Sequence, residues 1–458
     1  RPPPPGGPGP ALTRPMLTPR RRLLGWAALT VVPALGLLGT VPAAGPAAAA
    51  LLALGVTVAG IDALRSGRRL AGLRVHTAPV ARLVQGREGT LELALQHPAP
   101  RPPTLRLGLA LPRDWTGPGP DWVLRLPDAP ASRHAVPVTA TRRGRFPLPE
   151  VHLETASPWG FWSVRRRNPL DAEIRVQPDL RPAARAGARF LLRGDDGQRI
   201  VRQAGRGREF DKLRDYLPGD PPEDLHWKAT AKRGHPVTKV HQVERTQEVY
   251  VLVDASRLSG RPEPGGDGRP EPLLESFIRA ALVVGGIAQR QGDRLGLVCF
   301  ARGVETFLRA GPGPSQLAAC RERLVTLQPR PVAPDFTELA TVLRTRLRQR
   351  ALLLFLTCLD DPVVAEGFLP ALDLLRQQHL CAVVQARGGD VRPLFTGPWP
   401  ASVEDLYPAL AGHLAWQSER ELQRELGRRG VPLMSAPAPG LAAALLGRYL
   451  DARQRQRL

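Results

Sequence analysis

Four successive patterns of apolar and polar residues run along the chain. The first is unbroken apolarity, from Leu23 to Val41 and again from Ala47 to Leu64, divided by the uncharged Pro42-Ala43-Ala44-Gly45-Pro46. Each run approaches the roughly 20 residues that a membrane-spanning helix requires. Two such runs in succession predict a helical hairpin over residues 16–70 rather than a cleaved signal peptide. Arg20, Arg21 and Arg22 precede the pair and Arg65, Arg68 and Arg69 follow it, so the positive-inside rule places both ends in the cytoplasm. Pro33 is then expected to kink the first span, and Asp62 to stand at the interface beside Arg65.

The second pattern has a period of two. Leu91-Glu92-Leu93-Ala94-Leu95, Leu105-Arg106-Leu107-Gly108-Leu109, Val151-His152-Leu153-Glu154 and Ile174-Arg175-Val176 alternate between Pro and Gly punctuation. Alternation of that kind predicts strands, here a β-sandwich-like domain over residues 71–180. Residues 181–247 have no sustained period at their start and read as a connector. From residue 248 to 458, apolar strand-length runs such as Val249 to Val253 and Ala351 to Thr357 alternate with helix-length patterns such as Leu273 to Gln289 and Val363 to Gln378. This alternation predicts an α/β domain with a mostly parallel, doubly wound sheet.

Length supports that division, since 458 residues exceed one ordinary core and accommodate two soluble units plus an anchor. Residues 1–15 are rich in Pro and Gly and are expected to be disordered or upstream of a start at Met16. The formal net charge of +22 raises nucleic acid or an acidic membrane surface as a partner. Scattered arginines, with no zinc-finger or aromatic RNA-binding motif, favour the membrane and argue against nucleic acid. Cys299, Cys320, Cys358 and Cys381 lie far apart in apolar surroundings and read as buried free thiols.

One segment carries more information than the rest. Gly207-Arg208-Glu209-Phe210-Asp211-Lys212-Leu213-Arg214-Asp215-Tyr216-Leu217-Pro218-Gly219-Asp220 runs on to Leu225-His226-Trp227-Lys228, and all four lysines of the chain, Lys212, Lys228, Lys232 and Lys239, fall inside or just after it. Lysine is a compact point charge and arginine a planar fork, so their separation suggests a geometric requirement. The segment resembles the signature of the bacterial domain of unknown function 58 family, whose members carry a von Willebrand factor A-like domain behind a membrane anchor. Arg142-Arg143-Gly144-Arg145-Phe146 and Ser157-Pro158-Trp159-Gly160-Phe161-Trp162 resemble two further motifs of that family.

The resemblance implies a metal-binding rim at the carboxyl ends of the strands. Here Asp254 and Ser256 fit it, but Leu258 occupies the third position, Thr337 suits the middle loop, and the late aspartate falls near Cys358, with Asp360 two residues on. Mg²⁺ demands near-octahedral oxygen coordination. The rim around Asp254, Ser256, Thr337 and Asp360 is therefore expected to be degenerate, with no metal or other cofactor, although Asp360 reaching back would restore a ligand.

The acidic and imidazole groups of the signature, among them Glu209, Asp211, Asp215, Asp220, His226 and His241, alternate with cations in a manner that suits ion pairs better than catalysis. No nucleophile elbow, phosphate loop or H-E-x-x-H motif is present, so no catalytic residue is expected. Glu209, Phe210, Arg214, Asp215, Tyr216, Gly219, Asp220, Trp227 and Lys228 are expected either to dock a partner or to lock the connector onto the α/β domain. The resemblance implies a membrane-tethered cytosolic adaptor whose partner is a MoxR-type AAA+ ATPase. The alternative is a metal-dependent ligand-binding domain or enzyme using the rim around Asp254.

Overall fold

The computed structural model describes residues 15–40, 42–67, 69–96, 104–117, 119, 122–127, 129–193, 204–217, 225–242, 247–265, 268–394, 396 and 402–454. Compactness divides the chain into one unit ending at Asp179 and another beginning at Leu180.

The first unit opens with β1 (Met16–Pro19), α1 (Arg21–Thr40) and α2 (Gly45–Ser66). It continues through β2 (Arg74–Thr77), β3 (Val80–Val84), β4 (Glu88–Gln96), β5 (Thr104–Leu109), β6 (Val123–Arg125), β7 (Ala131–Thr139), β8 (Gly144–Ala156) and β9 (Trp162–Gln177). Both α1 and α2 are long and apolar enough to cross a membrane. They meet at small residues, where Thr30 faces Gly55 so closely that a side chain at Gly55 would collide with it. Trp26 Nε1 donates to the Gly55 carbonyl at 3.2 Å across the same crossing.

The strands form one sheet ordered β1-β9-β8-β5-β6, with β3 also on β9, and a second ordered β2-β4-β7. Alternate residues of both sheets, including Leu91, Leu93 and Leu95 of β4 and Leu105 and Leu107 of β5, enter one buried core. The period-two pattern produces this arrangement, because alternate side chains of a strand project to the same face. β1 departs from expectation: Met16 to Pro19, read as the start of the anchor, pair antiparallel with Trp162 to Arg165 of β9.

In the second unit, residues read as a connector fold into α3 (Arg181–Arg193). The short run of small residues hid it, since Ala183 is buried in the core and Gly187 lies against Leu446 and Val283. β10 (Ala204–Asp215), α4 (Trp227–Arg233) and β11 (Val237–Gln242) follow, β10 and β11 forming a separate antiparallel ladder.

The remaining elements are β12 (Glu248–Asp254), β13 (Pro262–Pro264), β14 (Pro270–Pro272), α5 (Leu273–Arg290), β15 (Arg294–Phe300), β16 (Val304–Gly311), α6 (Gly313–Val325) and α7 (Phe336–Arg346). After them come β17 (Leu352–Thr357), α8 (Pro362–Leu375), β18 (Leu380–Ala386), α9 (Val403–Arg428), β19 (Leu433–Ala436) and α10 (Leu441–Gln454). The main sheet is ordered β16-β15-β12-β17-β18-β19, with only β16 antiparallel to its neighbour.

Its inner strands β12, β15, β17 and β18 are mostly apolar because both faces are covered, whereas the edge strand β16 carries Glu305, Thr306 and Arg309. Val249, Val251 and Val253 join a core with α5, α6 and α10, whereas Tyr250 and Leu252 join another with α7 and α8. Tyr250 needs space on its neighbour: a Cβ at position 296 would lie 2.3 Å from its ring, so Gly296 is required. Its hydroxyl in turn accepts from the Ala310 backbone at 3.0 Å, which ties β12 to the edge strand β16.

Candidate functional site

From β12 the chain crosses through α5 to β15 on one side, and it later returns through α7 to β17 on the other. Asp254 ends β12 at this reversal of strand order, the place where parallel sheets open a crevice beyond their strand ends. The aspartate is buried, and both of its carboxylate oxygens are engaged. Thr357 donates its hydroxyl to Oδ2 at 2.6 Å, and the Ser256 backbone N–H donates to Oδ1 at 2.8 Å. Burial pushes the Asp254 carboxyl above the ordinary carboxylate value, against these hydrogen bonds.

Ser256 is also buried, and its Oγ makes no hydrogen bond of normal geometry among the described residues. Thr337, expected on the middle loop, stands exposed in the first turn of α7, while Thr357 makes the contact with Asp254. Thr357 was missed. Its signal was the hydroxyl ending the apolar run Leu352 to Thr357, one strand away from Asp254.

Asp360 does not reach back to Asp254. It pairs with Arg261, while Asp361 pairs with Arg257 at 2.8 Å and caps α8 by accepting from the Val363 N–H at 3.1 Å. Arg261 also lies 2.9 Å from Glu263. The loop carboxylates are therefore answered by guanidinium groups. Burial raises the Cys358 thiol well above its usual range, and the neighbouring Asp360 carboxylate adds to the effect. Among the described residues, no group of three His, Cys, Asp or Glu side chains could hold a metal ion. With Asp254 saturated and Asp360 turned to Arg261, the donor set does not fit an octahedral dication.

The signature forms a strand, helix and strand. Leu213 to Asp215 of β10 pair with Val237 to Lys239 of β11, and Glu209 and Phe210 stand opposite Gln242 and His241 along the backbone. Asp215 accepts from His235 at 2.9 Å, and Arg214 donates to the Asp215 carbonyl at 3.1 Å. The Tyr216 N–H donates to the Pro236 carbonyl at 3.0 Å.

His226 caps α4 through Nδ1, which accepts from the Ala229 N–H at 3.1 Å, while the His226 backbone N–H donates to the Val237 carbonyl at 2.8 Å. That accounts for an imidazole the sequence left among acid–base candidates. Trp227 is 70% exposed and Lys228 is exposed beside it. Gly219 and Asp220 lie outside the described residues.

The motif Ser157-Pro158-Trp159-Gly160-Phe161-Trp162 builds a different contact, within the first unit. Asp62 of α2 is fully buried and accepts from Ser157 Oγ at 2.6 Å, the Trp159 N–H at 3.0 Å and the Phe161 N–H at 3.3 Å. Ser157 Oγ accepts in turn from the Trp162 N–H at 2.9 Å, and Trp162 Nε1 donates to the Ala59 carbonyl at 2.9 Å. Arg65, expected to accompany Asp62, lies over the Trp159 ring at 5.7 Å instead.

Residues 212–387 match the family model described as Protein of unknown function DUF58. No curated protein matches the chain. Among solved structures, an uncharacterized membrane spanning protein from Vibrio fischeri is 18% identical, covering 47% of this chain and 100% of its own at a TM-score of 0.18.

Proposed function

We propose that this chain, which matches the DUF58 model over residues 212–387, is a membrane-tethered, non-catalytic adaptor whose second unit docks another protein. In this reading α1 and α2 form the anchor, and the arginines flanking them hold both soluble units in the cytoplasm. The strand order and two-sided helix covering support a von Willebrand factor A-like, doubly wound domain. The observation that carries the proposal is the switch-point rim, where Arg257 and Arg261 hold Asp361 and Asp360 above a saturated Asp254. A rim of charge pairs around a closed carboxylate suits recognition of a protein surface without a bridging ion.

The exposed Trp227, together with Arg214, Asp215 and Tyr216, offers a separate contact surface within the signature. The resemblance makes a MoxR-type AAA+ ATPase the partner to test first. Co-expression with such an ATPase should recover a complex from wild type and less of it from Arg214→Ala and Tyr216→Ala. If both variants fold and retain the ATPase and every other partner, the docking role of the signature fails. The buried, unpartnered Ser256 Oγ favours the metal-dependent reading instead. Mg²⁺-induced thermal stabilisation, lost in Asp254→Ala, would establish that alternative.

A further inference from the structure

A further groove lies between α8 and α9, beyond the carboxyl ends of β17 and β18. It encloses a cavity of about 540 Å³, with Ala365, Leu369 and Leu422 among its apolar lining and Glu366 and Glu421 among its acidic lining. Gln385, at the end of β18, also lines it. Only 3% of Gln385 is exposed; its Nε2 donates to Ser435 Oγ at 3.0 Å, whereas its Oε1 accepts from no donor among the described residues. A buried amide oxygen without a protein donor is unfavourable unless water or a ligand supplies one.

Charge gives that ligand its sign. Glu419 is held by Arg387, Glu425 by Arg428 and Arg429, and Asp360 by Arg261, so these carboxylates are neutralised. Glu366 and Glu421 are exposed and have no ion-pair partner among the described residues. In a chain with 64 basic and 42 acidic residues, two unanswered carboxylates around one groove form a local negative site.

The preceding turns of α9 add an apolar face. Val403, Leu406, Tyr407, Leu410 and Leu414 are exposed at helical spacing, and Glu421 lies seven residues beyond Leu414 on the same side. A helix lying along α9 would cover this stripe with its own apolar residues and bring its cations to the groove.

We propose that the α8–α9 groove docks a cationic amphipathic helix of a partner protein. One of its Arg or Lys side chains passes between Glu366 and Glu421 to donate to Gln385 Oε1. The inference rests on the adaptor reading and locates a docking face distinct from the signature.

The test uses the full chain in phosphatidylcholine nanodiscs and a labelled helical peptide of Leu, Ala and Arg, with binding read by fluorescence anisotropy. A control peptide carries Glu in place of Arg. The Arg peptide should bind wild type saturably. The double change Glu366→Lys with Glu421→Lys should weaken it at least tenfold and create binding of the Glu peptide, an exchange that nonspecific adhesion would not produce. Gln385→Leu should weaken the Arg peptide severalfold, and Leu410→Asp, at an exposed position that leaves folding intact, should do the same.

Absence of Arg-peptide binding to wild type, equal binding of both peptides, or unchanged binding after the double charge reversal would each overturn the proposal. Loss of the groove with an ATPase complex still sensitive to Arg214→Ala would leave the adaptor reading standing. Peptide binding at the groove, with every partner retained by the signature variants, would instead refute only the signature's docking role.

Discussion

Two aspartates, one in each unit, are buried with no cationic partner among the described residues, yet they serve different ends. Asp62 closes the last turns of α2, where the helix dipole disfavours a negative charge. Its donors all come from residues 157–161, so the carboxylate offsets that cost by fastening the apolar hairpin to the sheet containing β8 and β9. Asp254 takes one donor from Ser256, two residues away, and one from Thr357 on the adjacent strand. It shapes a turn and joins two strands already paired along their length. The same side chain, equally hidden from solvent, thus acts as a long-range fastening in one unit and as a local strut in the other.

The largest effect should follow from breaking the fastening. Asp62→Ala leaves a hydroxyl and two N–H groups without their acceptor, and a loss of about 3 kcal/mol is expected in the first unit. Asp62→Asn keeps one acceptor oxygen and should cost about half as much. Thermal unfolding of the full chain in nanodiscs checks both, and a loss under about 1 kcal/mol for the alanine variant would remove the distinction between the two aspartates.

Asp254 should be more forgiving. Asp254→Ala is expected to cost about 1–2 kcal/mol, since Thr357 and Ser256 each lose a partner. Asp254→Asn should be nearly neutral, because burial already disfavours the charged carboxylate and the amide oxygen can still accept. If denaturant unfolding finds Asn as damaging as Ala, the negative charge itself is required, and the rim holds a cation after all.

Gly160 tests the loop that supplies the donors to Asp62. It has φ +81, and a Cβ there would lie 3.1 Å from Arg22 Nη1. Gly160→Ala should cost about 1 kcal/mol through its left-handed backbone. Combined with Asp62→Ala it should add little, because the loop has then lost what it grips; full additivity in a double-mutant cycle would separate the loop from the aspartate.

These contacts mark what the sequence made legible and what it did not. The apolar hairpin, the alternating strands and the succession of strands and helices in the second unit follow from periodicity, a property of consecutive residues. The Asp62 contact joins residues 95 apart, and no local pattern announces it; the motif at Ser157 was legible as a motif, but its target was not. α3 escaped notice because the residues described as buried in it, Ala183 and Gly187, carry almost no hydrophobic signal. The family resemblance points to Asp254 and Ser256, whereas Thr357 enters through strand pairing, and Arg257 and Arg261 take the loop carboxylates by a tertiary exchange that a local motif cannot encode.

A third buried polar group sharpens the comparison from the opposite side, because it lacks what both aspartates have. His379 precedes β18, is 2% exposed, and neither ring nitrogen has a hydrogen-bond partner among the described residues. Burial lowers its pKa from the ordinary 6.5, so folding favours the neutral ring. In the unfolded chain the ring takes up a proton as pH falls through about 6.5, while the folded chain still excludes it. The unfolded state then binds more protons, and stability must decline on acidification from that point down to the folded pKa. Above about pH 7 the residue contributes no pH dependence. His379→Leu, which fills the site with a group needing neither proton nor partner, should flatten the unfolding midpoint between about pH 7 and pH 5 relative to wild type. An identical acid slope in the variant would mean that the ring finds a donor or acceptor in solution, and that burial without a partner is not what separates it from Asp62 and Asp254.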